Sequence, residues 1–216
     1  MSQTREKLLA QAGEAVGTLP GVGDVQAYVR AYFGHVADDD LAAGGPERLA
    51  AVAREQAELA ATRPQGRAIV RVRAGGSAAV DPSSDVIDIV TDDMPFVVDS
   101  TTMELARHGL SARLVIHPQL RIRRDVAGVM REVTGLVNGD EPTHDELAES
   151  WTHIEVAKLA EGEFKRLADD LQRVLSDVRV AVEDGSRMRT RAVYLAEGLL
   201  DQPAAAGAGE IGRAHV

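Results

Sequence analysis

Cysteine is absent from all 216 residues, which excludes disulfide stapling, thiolate catalysis and cysteine-ligated zinc or iron–sulfur centres together. Aromatics make up only 3% of the chain: Tyr28, Tyr32, Phe33, Phe96, Trp151, Phe164 and Tyr194. A core must therefore be built chiefly from Val, Leu, Ile and Ala. Lysine is scarcer still, at Lys7, Lys158 and Lys165, and the arginines are scattered rather than gathered into a stripe. With 34 acidic against 24 basic side chains the formal charge is −10, so the surface repels phosphate backbones and no nucleic-acid partner is expected. No apolar run approaches the roughly 18 residues of a membrane span. The opening stretch is also interrupted by Glu6, Lys7 and Glu14, so no membrane partner and a cytoplasmic location are expected.

What is present is globular in composition, with 44% hydrophobic and 27% charged residues. The first sixty-odd residues carry helical spacing. Leu8, Leu9, Ala12 and Val16 share one face behind Thr4, a plausible N-cap. Asp24 opens a second helix whose Val25, Tyr28, Val29, Tyr32, Phe33 and Val36 form a continuous stripe. The acidic run Asp38 to Asp40 and Gly44-Gly45-Pro46 separate it from a third, Glu47 to Thr62. From Ala68 the period changes to two. Strands are predicted at Ala68 to Arg73, Asp85 to Thr91, Ala112 to His117, Gln119 to Arg124, Val126 to Val133 and Glu149 to Ala157. A helix from about Phe96 to His108 falls between the second and third of these. After them, Phe164, Leu167, Leu171, Val174, Leu175 and Val178 form a further helical stripe, while residues 178–183 fit either helix or strand. The fold class is thus α+β: an N-terminal helical segment, then a ferredoxin-like βαββαβ antiparallel sheet with helices on one face. The expected organisation is 1–66 helical segment, 67–185 α+β domain, 186–209 helix and linker, and 210–216 a terminal stretch. That stretch, Glu210 to Val216, back-translates to what looks like a sequencing-adapter read and is expected to be an artefact on the opening portion of a longer gene.

The segment Thr91 to Ser100, followed by Val115-Ile116-His117-Pro118 and by Glu149 to Glu155, resembles the N-terminal region of the large NAD-specific glutamate dehydrogenases of bacteria. The likeness runs over roughly residues 20 to 200. It implies an ACT module, a βαββαβ fold used for ligand sensing and subunit contact. The full protein would convert glutamate to 2-oxoglutarate and ammonia with NAD, at sites far downstream. The residues themselves agree that chemistry lies elsewhere. A dinucleotide site wants Gly-x-Gly-x-x-Gly between strand and helix, and neither Gly21-Val22-Gly23 nor Gly75-Gly76-Ser77 supplies it. No lysine sits in a glycine-rich setting. Hence no catalytic, cofactor-binding or metal residue is assigned, and NAD belongs to the whole protein rather than to this stretch.

Ten residues are candidates for ligand binding or interface: Asp92, Asp93, Pro95, Phe96, Asp99, Ser100, His117, Trp151, His153 and Glu155. The first six form a strand-to-helix turn of the kind in which ACT modules hold an amino-acid carboxylate on helix amides. Phe96 stands where that pattern has glycine, and a bulky side chain opposes close approach of the backbone. Helix capping by Asp92 or Asp93 is the plainer account. Trp151, His153 and Glu155 share one face of a strand by period two. That face is expected to be exposed until another domain covers it, with Trp151 as anchor. The competing account is metal or proton chemistry with His117 as a third ligand. Strand alternation puts Arg121 and Arg123 on solvent.

Two functions follow. One is the non-catalytic, regulatory and oligomerising part of a large NAD-specific glutamate dehydrogenase, whose partners are downstream domains and further copies of the chain. The other is a stand-alone ACT-type sensor with an amino-acid effector.

Overall fold

Apolar spacing of three and four up to residue 60, and of two from Ile69 onward, divides the chain into helices followed by strands. The computed structural model describes residues 3–76, 82–137 and 143–200. Its elements are α1 Gln3–Val16, α2 Val25–Tyr32, α3 Asp38–Ala60, β1 Ile69–Ala74, β2 Ser84–Asp92, α4 Val97–Arg107, β3 Ala112–Ile116, β4 Gln119–Arg124, β5 Met130–Leu136, β6 Leu147–Ala157 and α5 Glu163–Leu200. The expected linker and the terminal 210–216 stretch lie outside the described residues.

Local chemistry sets several of these bounds. Asp24 caps α2 by accepting the Ala27 amide at 2.9 Å. The acidic run at 38–40 does not divide two helices. It forms the first turn of α3, where carboxylates meet the positive helix end, and the break comes instead at Gly45 (φ 70°), followed by Pro46. β5 begins at Met130 rather than Val126, because the Asp125 carboxylate accepts the amides of Ala127 and Val129 and holds a turn there.

The sheet is antiparallel, in the order β1-β2-β6-β4-β5, with β3 also pairing β6. β3 and β4 occupy one side of β6 in succession. Pro118, which has no amide to donate, falls at the break between them. This is the α+β, ferredoxin-like arrangement, with the far side of β2 taken by β1. No side of β2 is left for a closing strand, and residues 178–183 are helical, supported by the Arg179–Glu183 pair four residues apart at 3.8 Å.

The chain divides into two compact units, Met1–Val178 and Arg179–Val216. In the first, both sheet faces are covered. The stripe Tyr28, Val29, Tyr32 and Phe33 packs with Leu49, Val52 and Ala53 of α3 on Val86, Val90, Leu120, Ile122 and Trp151. On the other face Val97 and Leu105 of α4 and Leu167, Leu171 and Leu175 of α5 meet Ile87, Ile89, Ile154 and Val156. In the second unit α5 continues with Arg187–Asp184 paired at 3.7 Å and Met188, Val193, Tyr194 and Leu195 exposed. Among the described residues no helix is long and apolar enough to cross a membrane.

Candidate functional site

Alternation along β6 turns Glu149, Trp151, His153 and Glu155 toward one face, and that face is covered by the chain's own α1 to α3, not by another domain. All four side chains are buried, Trp151 and Glu149 completely. The expectation of an exposed face with Trp151 as an external anchor is therefore corrected. The Trp151 ring meets Tyr28 edge-on at 6.1 Å, and the Tyr28 hydroxyl donates to the Ala53 carbonyl at 2.8 Å.

Two ion-pair clusters flank that tryptophan. In the first, the Glu149 carboxylate accepts from Arg63 Nη2 at 2.8 Å, from Arg124 Nη2 at 2.8 Å and from Trp151 Nε1 at 2.9 Å. Arg63 is fully buried and also reaches Asp92, whose strand position pairs directly with Glu149. Burial opposes the charge on both Arg63 and Glu149, but their partners prevail: Glu149 and Asp92 raise the Arg63 pKa, and Arg124 and Arg63 lower that of Glu149. Gly128 (φ +82°) is required beside them, since a Cβ there would lie 2.4 Å from the Arg63 carbonyl oxygen.

In the second cluster Arg71, Asp88 and His153 stand in register across β1, β2 and β6. His153 Nδ1 lies 2.7 Å from Asp88 Oδ1, and Arg71 Nη2 donates to Asp88 Oδ2 at 2.8 Å. Burial works against the Asp88 carboxylate, yet His153, Arg71 and Arg73 bring its pKa down to about 2. Burial likewise disfavours a charged His153, and Asp88 and Glu155 overcome it to raise the pKa. Glu155 Oε1 is 3.6 Å from His153 Nε2 and pairs with Arg48; burial works against its charge, and His153 and Arg48 overcome this to lower its pKa. Beside it a cleft of about 210 Å³ is lined by Arg48, Arg113, Asp40, Ser83 and Ser84.

The turn after β2 differs from expectation in how its carboxylates are used. Neither Asp92 nor Asp93 caps α4. Asp92 is held by Arg63, and Asp93 accepts from Gln119 Nε2 at 2.8 Å. Phe96 is the N-cap, with φ 69° and no side-chain cap bond; it is the one non-glycine residue at positive φ among the described residues. The backbone thus takes the glycine-like conformation while the ring, 64% exposed, turns outward. Pro95 precedes it in the turn, and Asp99 and Ser100 lie in the first turn of α4, where the Ser100 amide donates to the Phe96 carbonyl at 2.9 Å.

His117 sits apart, with Nε2 bonded to Ser150 Oγ; burial lowers its pKa, Asp93 opposes this in part and His35 adds to it. The proposed ligand set His117, His153 and Glu155 does not converge. Among the described residues, the group that brings its ligand atoms within 4.8 Å of one another is Glu104, His108 and Asp170. Arg63, Asp88 and Glu149 were not singled out from sequence. For Asp88 and Glu149 the sequence signal is a charge at an inward position of an apolar strand, as in Val86-Ile87-Asp88-Ile89-Val90, whereas Arg63 lies in the segment after α3, outside any strand.

The family described as "Glutamate dehydrogenase, ACT1 domain" matches residues 28–171. The chain belongs to this family. Its ACT1 domain includes the sheet, α4 and all ten candidate residues. The NAD-specific glutamate dehydrogenases of Pseudomonas aeruginosa and Halomonas elongata are each 34% identical to it over 107 residues. That stretch is 49% of this chain and 6% of each relative, so the match spans a small fraction of those proteins' length.

Proposed function

We propose that this ACT1 chain is the N-terminal, non-catalytic part of a large NAD-specific glutamate dehydrogenase, regulatory and architectural in role. The whole enzyme would oxidise L-glutamate to 2-oxoglutarate and ammonia with NAD in domains downstream, and would work in the cytoplasm as a homo-oligomer. The observation that carries this reading is the family match over residues 28–171, a region described as an ACT domain of that enzyme. The buried groups support it, because Glu149, Asp88 and His153 are committed to structural ion pairs rather than presented to a substrate.

Purified chain mixed with glutamate and NAD, followed by nicotinamide absorbance, is expected to give no turnover, and the gene read beyond codon 209 is expected to continue into the NAD and glutamate sites. Turnover by the chain alone, or a stop codon in the native gene near that point, would overturn the assignment. The second reading, a stand-alone sensor, is favoured by the cleft beside Glu155. It places the guanidinium groups of Arg48 and Arg113 near the carboxylates of Asp40 and Glu155, the two charges a zwitterionic amino acid presents. Calorimetry with glutamate and other amino acids tests it: heat abolished by Arg113→Ala supports the sensor, and absence of heat removes it.

A further inference from the structure

On the face opposite the buried clusters, α4 and α5 bring together a second set of titratable groups that the proposed role does not use. Glu104 and His108 are four residues apart and therefore lie on the same side of α4, and Asp170 meets them from α5. Both carboxylates aim at one atom. His108 Nε2 lies 3.0 Å from Asp170 Oδ2 and 3.5 Å from Glu104 Oε1. A single N–H lies along one line and satisfies one of these oxygens, whereas a metal ion at their centre engages all three atoms.

The spacing suits such an ion. Tetrahedral zinc bound at about 2.0–2.1 Å holds its ligand atoms roughly 3.3–3.4 Å apart, between the two distances observed. The outer oxygens are also fixed. Arg107 Nη1 donates to Glu104 Oε2 at 3.0 Å, and Arg173 pairs with Asp170 Oδ1, so each carboxylate is turned with its other oxygen toward the imidazole. The group opens into a polar cavity of about 250 Å³ that also contains Glu163 and Arg166, giving an ion a path of entry and room for a water as fourth ligand. Arg166, 4.0 Å from Asp170 Oδ2, places a cation near an inner oxygen and limits affinity without filling the centre.

The geometry points to a divalent transition-metal site formed by Glu104, His108 and Asp170, with zinc as the ion that fits one nitrogen and two oxygens. Hard cations such as magnesium and calcium, which prefer six or more oxygens, are disfavoured by the same donor set. An ion there would tie α4 to α5 on one face of the sheet.

The test is calorimetric titration of the whole 216-residue chain, freed of metal by chelation, with zinc chloride and separately with magnesium chloride at pH 7.5. One zinc per chain is expected, with a rise of several degrees in melting temperature and no heat from magnesium. His108→Ala and the near-isosteric Asp170→Asn are each expected to weaken zinc at least about tenfold, while His144→Ala, at an exposed site elsewhere, leaves it unchanged. Absence of zinc heat at millimolar metal overturns the site. So does binding that His108→Ala and Asp170→Asn leave intact, with far-ultraviolet circular dichroism confirming that both variants fold.

Discussion

β6 presents one set of side chains to α1–α3 and the alternate set to α4 and α5, and the two sides are held by different physics. Toward α4 and α5, Ile154 and Val156 meet Leu167, Leu171 and Leu175 in contacts without direction. Toward α1–α3, Glu149 and His153 sit in ion-pair clusters whose partners come from β1, β2, β4 and the segment after α3, and Trp151 donates to Glu149. A one-residue slip of β6 would leave the aliphatic side short of some buried area. On the other side it would deprive fully buried Arg63 of Glu149, leaving it only Asp92 of the two anions. Toward α1–α3 the ion pairs add register to a large apolar cluster, whereas toward α4 and α5 β6 rests on apolar burial.

The sharpest way to break this contrast is a pair of volume-conserving changes. Glu149→Gln keeps shape but leaves Arg63 and Arg124 short of a counter-charge, so a loss of about 3–5 kcal/mol is expected in urea unfolding. Ile154→Leu on the opposite side is expected to cost less than about 1.5 kcal/mol. Equal losses would show that the two sides do not differ.

A smaller effect separates the sides by pH. Asp88, lowered from 3.8 to about 2, contributes roughly 2 kcal/mol that is fully present above pH 3.8 and is lost as pH falls through its folded value. His153 is shifted the other way. Its contribution is complete below 6.5 and fades as pH rises through the higher folded pKa. Unfolding midpoints measured from pH 2 to 9 should fall at both ends, and His153→Gln should flatten the alkaline end. An unchanged alkaline limb in that variant would place the decline elsewhere.

The smallest effect belongs to neither side. Phe96→Gly relieves a left-handed backbone worth about 1–2 kcal/mol, partly offset by the greater freedom of glycine in the unfolded chain. A net gain near 0.5–1 kcal/mol is expected, read as a melting point a few degrees higher. A lower melting point would show that the exposed ring makes contacts that outweigh the strain.

Much of the fold was legible because it follows from periodicity. The Tyr28 to Phe33 stripe, the strand alternation from Ile69 and the Pro118 break each express one local rule, and each stands in the structure. Residues 178–183 escaped that logic, since their alternation suits a strand as well as a helix. The pairing of β1 along β2 closed the strand option. The candidate site was legible only in part. That Trp151, His153 and Glu155 share a face follows from period two, but what covers that face depends on α1–α3 folding back over the sheet. Likewise Asp92 and Asp93 stand where caps usually stand. Arg63 claims Asp92 first, because a buried guanidinium short of an anion costs more than an uncapped helix end, while Asp93 accepts from Gln119.

By itself the amino-acid sequence determined the helix and strand types, the family, and the absence of cysteine chemistry, because these depend on composition, spacing and local motif. Tertiary structure alone decided which charges are buried together. Arg63 and Glu149 are 86 residues apart, and Glu104 and Asp170 lie on different helices. Coulomb attraction between Arg63 and Glu149, and the imidazole of His108 that draws in both Glu104 and Asp170, act through space rather than along the chain, so neither meeting leaves a mark in sequence order.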